Sequence, residues 1–402
     1  MNMKRSGRWS FVIVIAAIVV WLAGCRGPMN LQNGGGGPKF GGGDPNVATS
    51  SSVKHLIVVV FQNRSFDHLF GHFSPPNGQT VEAANSSSPG WSQTNADGQV
   101  VSPTLRTDAN AADMPHGHAN YLASFNNGAM DGFAAEEGDQ AMQYYDQSIP
   151  GVDTFYNYAT QYVLADHYFS SAMTSAPAQM FYAVSATDND VAFSTQPVYG
   201  PCNQPDSAAT ANTTENVGDQ MTSQKIGWIW YHEAYGQCGN YVPQQNPFQY
   251  FTSTQNSEHI QDLNVFYMQL QSGEIPSVSF VQMAPAHSGH PGSSSITAAA
   301  AWLDQFVKQV QGSSVWESTA IMVLWDEGGG WYDHVAPPQI DSQGLGIRVP
   351  MMVISPFAKK GMVYHNVADH TSILRFIQWN WGLPPLNSRN SQLDDLRGMF
   401  AF

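Results

Sequence analysis

The sequence predicts an α/β sandwich around a mostly parallel sheet, on three observations. Apolar runs of strand length recur at residues 55–61, 276–281, 320–325 and 349–355. Helix-like stretches lie between them at 153–169, 297–310 and 371–379; in the second, Ala300, Leu303, Phe306, Val307 and Val310 share one helical face. Each strand-like run is followed within a few residues by polar or glycine-rich sequence. Buried strands alternating with amphipathic helices give this fold class, and its ligands bind beyond the carboxyl ends of the strands.

The N-terminus stands apart from the fold. Lys4, Arg5 and Arg8 form a basic start, residues 11–22 are an unbroken apolar run, and Leu22-Ala23-Gly24-Cys25 resembles a bacterial lipobox. The run is short for a membrane span, which needs roughly 20 residues. Residues 1–25 therefore read as a lipoprotein signal peptide with a lipid on Cys25. The mature chain is expected to be exported and lipid-anchored in the cell envelope, at the outer membrane in a Gram-negative source. Residues 26–50, with Gly34 to Gly37, Pro38 and Gly41 to Gly43, read as a Gly-rich tether. Residues 51–402 are left as the folded domain, with long polar excursions at 75–113 and 187–256.

Composition limits the partners. With Lys+Arg 16 against Asp+Glu 31 the net charge is −15, which excludes a broad basic face for nucleic acid. Positive charge for an anionic substrate must be local. Cys202 and Cys238 are expected to pair, because an exported chain meets an oxidising compartment. No CxxC pair is present, so metal chemistry must rest on His, carboxylate and amide groups.

The ends of two strands carry the chemistry. Residues 320–325 run into Asp326, Glu327 and three glycines, Gly328 to Gly330, followed by Asp333 and His334. Adjacent like charges repel, so their gathering at a strand end points to a cation. Gln62 and Asn63 follow the first strand, at the same edge, and the four side chains together offer hard oxygen ligands for a divalent ion. The stretch from Asn63 to Phe70 also reads as a turn and a capped helix, with Ser65 or Asn63 as N-cap.

Several ordered stretches, "QNRSFDHLFG", "HGH…FNNGAMDGF", "LADHYFSSAMTSAP", "HSGHPGSS", "WDEGGGWYDHVAPP" and "RVPMMVISPF…DHTSILRFI", resemble the motifs of the bacterial phosphoesterase family of nonhaemolytic phospholipases C and acid phosphatases. The resemblance implies an alkaline-phosphatase-like three-layer fold and a metal-activated Ser or Thr nucleophile. Carried over position by position, it assigns a divalent metal ion to Gln62, Asn63, Ser175, Asp326 and Glu327. The family has a glutamate where this chain has Gln62; the amide keeps a carbonyl oxygen but removes one negative charge, so metal affinity is expected to fall.

The family's nucleophile precedes a proline by two residues, which selects Ser175 before Pro177, with Thr174 in reserve. Pro177 suits a first helical turn, whose amides would favour a bound phosphate. His116 and His290 match phosphoryl-contacting positions, while the neighbouring His118 and His287 read as structural. Asp333 and His334 are expected in the shell around the metal ligands. The expected function is metal-dependent hydrolysis of a phosphate ester, a phospholipid head group or a phosphomonoester, through a covalent phosphoseryl intermediate. The alternative is a non-catalytic envelope lipoprotein that binds phospholipid head groups or glycans, and Gln62 favours it.

Overall fold

The computed structural model describes residues 43–188, 197–203 and 211–402. The signal peptide, Cys25 and residues 26–42 of the expected tether lie outside the described residues. Residues 43–50 of that tether lie against the domain. The Asp44 N–H donates to the Lys225 carbonyl and the Ser50 N–H to the Asn380 carbonyl, while Val47 packs on the core.

Eight strands form the central sheet: β1 (His55–Phe61), β2 (Val163–Ala165), β3 (Trp228–His232), β4 (Ile260–Asp262), β5 (Val278–Gln282), β6 (Thr319–Trp325), β7 (Met351–Ile354) and β8 (Met362–Tyr364). Their order is β8-β2-β7-β6-β1-β5-β3-β4. Only β7 runs against its neighbours, β6 and β2; every other pairing is parallel. β1 and β6 are buried almost throughout, which explains why both read as unbroken apolar runs.

Helices cover both faces. On one, Phe61 and Trp325 stack and meet Phe155 of the helix Val152–Gln161, and Phe61 also meets Trp302 of the helix Ile296–Gln311. On the other, Trp230 and Phe280 stack beneath Phe248. The segment Pro247–Tyr250 carries Phe248 there and also supplies Tyr250 against Phe181 of the helix Ala176–Ser185. The expected three-layer sandwich is thus formed.

Two expectations need correcting. The helix expected over 153–169 stops at Gln161, and β2 follows as a strand of the central sheet. A short buried strand has no alternation to separate it from a continuing helix. The excursion expected over 187–256 contains β3 and the helix Val217–Ser223, so it extends the sheet instead of only leaving it. The five buried residues of β3 were hidden between polar segments. Within the same region Cys202 and Cys238 are joined as a disulfide.

Candidate active site

The parallel register of β1 and β6 pairs Phe61 with Trp325, so Gln62 and Asp326 leave the sheet side by side. Asn63 then takes a left-handed conformation, φ 60°, which asparagine tolerates better than most residues. Its N–H donates to Asp326 Oδ1 at 2.9 Å, fastening the two strand ends together. Gly329 shows why glycines follow the acids: its φ is +63°, and a Cβ there would lie 2.6 Å from Asn63 Cβ. Only glycine lets the returning loop pass so close.

The two histidines meet at Asn63. Asn63 Nδ2 lies 3.1 Å from His116 Nε2 and 3.4 Å from His290 Nε2. Each ring also turns Nδ1 to a backbone carbonyl, Met114 for His116 and Pro291 for His290. Those bonds place the ring proton on Nδ1 and leave Nε2 to accept from the Asn63 amide. His116 Nε2 is also 3.8 Å from Glu327 Oε1. Burial pulls the His290 pKa below its ordinary value, more than Asp113 restores.

Ser175 caps the helix Ala176–Ser185 from an extended conformation, is 4% exposed, and makes no side-chain capping bond. The Ala176 N–H bonds the Glu327 carboxylate, which sets the serine beside the acidic pair. The backbone of Thr174 is held locally, its N–H on the Ala172 carbonyl and its own carbonyl accepting from Gln179 Nε2. Gln62, Asn63, His116, Ala176, His290 and Glu327 all line one cleft of about 270 Å³.

Three oxygens here decide what the site can hold. Asn63 Oδ1, Asp326 Oδ2 and Glu327 Oε1 are buried and have no hydrogen-bond partner among the described residues. Burial followed by repulsion from Glu327 pushes the Asp326 carboxyl well above its usual range. Burial likewise pushes Glu327 up to about 8, even though the Tyr121 hydroxyl donates to its Oε2 at 2.7 Å. Two buried acids without a cation would hold protons. A divalent cation satisfies their charge and the orphaned oxygens at once, so the residues fit such an ion.

Asp333 and His334 are not in this group. Beyond Gly330 the loop carries them to a separate buried cluster with Asp67 and Arg348, where Asp333 Oδ1 accepts from Arg348 Nε at 3.0 Å and His334 Nδ1 meets Asp67 Oδ2 at 2.6 Å. Arg348 Nη2 also donates to Asp67 Oδ1 at 2.9 Å. Asp67 belongs to the short helix Phe66–Phe70, whose N-cap is Ser65, so of the two expected caps Asn63 is left to the site. His118 bonds the Met173 carbonyl and His287 bonds Glu233, consistent with structural roles.

Two contributors escaped the sequence. Tyr121 holds Glu327 and accepts from the Gly329 N–H, and His370 Nε2 donates to the Asp326 carbonyl at 2.7 Å while its Nδ1 meets the Tyr168 hydroxyl. His370 lay within a quoted motif and so was within reach; nothing in the sequence marked Tyr121.

Comparison with known proteins gives this chain relatives. The chain is 25% identical over 399 residues to the non-hemolytic phospholipase C of Burkholderia pseudomallei, covering 83% of this chain and 55% of that protein. It is 26% identical to phospholipase C B of Mycobacterium tuberculosis over 90% of this chain and 80% of that protein. With the non-specific phospholipase C1 of Arabidopsis thaliana it shares 24% identity over 81% of this chain and 64% of that protein. The chain spans a little over half the length of the bacterial non-hemolytic enzymes. A structure of a protein in the alkaline phosphatase superfamily from Vibrio parahaemolyticus is similar with a TM-score of 0.40 and 9% identity, over 79% of this chain and 75% of that one. The Phosphoesterase family model matches residues 53–384, and the chain belongs to that family.

Proposed function

We propose that this chain hydrolyses phosphate esters with Ser175 as nucleophile, and that a divalent metal ion bound by Asn63, Asp326 and Glu327, with Gln62 and Ser175 completing the set, activates it. The observation that carries the reading is the three unpartnered buried oxygens of Asn63, Asp326 and Glu327 beside a serine whose hydroxyl makes no capping bond. A divalent cation there would lower the pKa of the serine hydroxyl and offset charge on the phosphoryl oxygens.

Ser175 Oγ attacks phosphorus as the bond to the leaving oxygen breaks, forming a phosphoseryl group. The proton released by the Ser175 hydroxyl passes to the leaving oxygen, carried by His116 or His290, whose Nε2 is free to take it while Nδ1 donates to a carbonyl. Water then cleaves the phosphoserine. The amide of Asn63 steers both rings. The names of the bacterial and plant relatives make phospholipids the first substrates to try, and small phosphomonoesters the second.

The test measures release of p-nitrophenol from its phosphate and of phosphocholine from phosphatidylcholine, with added divalent metal and with chelator. Ser175→Ala is expected to lower turnover by about a thousandfold or more while sparing metal binding. Wild-type rates in that variant would move the nucleophile to Thr174. A wild type that binds phosphocholine yet turns over neither ester would favour the binding lipoprotein, which Gln62 in place of a carboxylate supports.

The reading includes a lipid on Cys25. Among the described residues no helix is long and apolar enough to cross a membrane. Cys25→Ser should release the protein to the soluble fraction, and unchanged fractionation with membranes would count against the anchor.

A further inference from the structure

A second group of potential ligands lies at the same edge of the sheet, two and three strands away from β6. β2 and β8 run parallel with Ala165 opposite Tyr364, so the next residues, Asp166 and His365, emerge together. The Asp166 N–H donates to the Tyr364 carbonyl, which fixes this pairing. His365 Nδ1 lies 2.8 Å from Asp166 Oδ1, and His167 Nδ1 lies 3.0 Å from the same oxygen. One carboxylate oxygen and two ring nitrogens therefore converge, each within 4.8 Å of the others.

His167 cannot satisfy its surroundings as a neutral ring. Its Nε2 is 2.8 Å from Glu82 Oε2 while its Nδ1 faces Asp166 Oδ1. A neutral imidazole has one N–H, so one of these contacts would set a lone pair against a carboxylate oxygen. A cation must stand in the gap, either a second ring proton or a metal. Glu82 is placed for the metal: its N–H donates to Asp166 Oδ2 at 2.8 Å, and its carboxylate takes the Nε2 proton of His167. A carboxylate on the far nitrogen is the usual way a metal-binding histidine is oriented.

The nearest buried cation does not fill the role. Arg348 reaches Asp166 through its backbone carbonyl, at 3.0 Å, and spends its remaining N–H groups on Asp67, Asp333 and the Glu82 carbonyl. The Asp166 side chain is fully buried, whereas the His167 side chain is 22% exposed and that of His365 53%, so an ion has a path from solvent and room for water as a further ligand.

We propose that Asp166, His167 and His365 bind a divalent transition-metal ion, with zinc the best match to two imidazoles and a carboxylate. The ion ties the excursion that carries Glu82 to the ends of β2 and β8. The role is structural, and the site does not depend on the assignment of the catalytic metal.

The experiment titrates zinc calorimetrically into the purified full chain after chelation, beside Asp326→Asn, His167→Gln and His365→Ala. His365 is half exposed, so its replacement leaves the core intact. The expected result is a binding event that survives in Asp326→Asn and is weakened about 100-fold or more in each histidine variant. Zinc binding that disappears with Asp326→Asn, that both histidine variants retain when combined with Asp326→Asn, or that is absent from the wild type would overturn the proposal. A wild type whose single event resists Asp326→Asn but not His365→Ala would support it while showing that the proposed catalytic site does not take zinc.

Discussion

Asp67 with Asp333, and Asp326 with Glu327, are both pairs of carboxylates withdrawn from water, yet among the described residues only the first pair has its cation. Arg348, fully buried, bonds Asp67 and Asp333 directly, and its guanidinium carbon lies over the Phe66 ring at 4.4 Å. Burial would push Asp67 up, but Arg348 and the His334 bond outweigh it and hold Asp67 below its ordinary value. At Asp333 burial prevails over Arg348, leaving it up at about 6. Among the described residues Asp326 and Glu327 have no such partner, and one oxygen of each is left without a hydrogen bond. A satisfied pair is architecture; an unsatisfied pair at a cleft is an invitation to a ligand.

The comparison is broken most severely by removing the internal cation. Arg348→Met should destabilise the fold by about 3 to 5 kcal/mol, because Asp67 and Asp333 would be left buried and uncompensated. Denaturant unfolding measures the loss, and a change under 1 kcal/mol would mean that the two pairs are not so different. Metal stoichiometry at Asp326 should survive in whatever fraction remains folded.

Withholding the external cation is the milder counterpart. In chelated protein Asp326 and Glu327 keep their protons to higher pH than the unfolded chain does, Glu327 from 4.5 up to about 8. Their contribution to stability is therefore present below the unfolded value and is lost as pH rises toward 8, at up to about 1.4 kcal/mol per pH unit for each proton. Added divalent metal should offset that loss, so the gap in melting temperature between metal-loaded and chelated protein widens from pH 5 to pH 8. A gap that stays constant or narrows would show that the pair is compensated from within.

The smallest effect sharpens the comparison at Gln62. Restoring a carboxylate with Gln62→Glu adds a negative charge to the cleft and should tighten metal binding by about tenfold, or 1.4 kcal/mol. Calorimetry reads this directly; unchanged or weaker affinity would remove Gln62 from the ligand set.

How much of this was legible in the sequence depended on distance along the chain. β1 and β6 announced themselves as long apolar runs, and their parallel alignment put Gln62, Asn63, Asp326 and Glu327 where strand ends of this fold class hold ligands. Asp333 and His334 misled because they follow Glu327 closely, but positive φ at Gly329 and Gly330 turns the loop away, a reversal that spacing does not encode. Tyr121 was illegible for a different reason: it reaches Glu327 across 206 residues, and a lone tyrosine on a helix carries no mark of its partner. The antiparallel sense of β7 likewise cannot be read from a buried run, since strand direction leaves no trace in an apolar segment.

The docking of residues 43–50 sets a polarity for the whole domain. Asp44 fastens to Lys225 just before β3, and Lys54 to Ser318 just before β6, so the chain enters at the amino-terminal edge of the parallel strands. The cleft opens at the other edge, about 23 Å away along a seven-residue strand. Entry of the chain and mouth of the cleft thus stand at opposite poles of one sheet, so whatever precedes residue 43 joins the domain at the end remote from the chemistry.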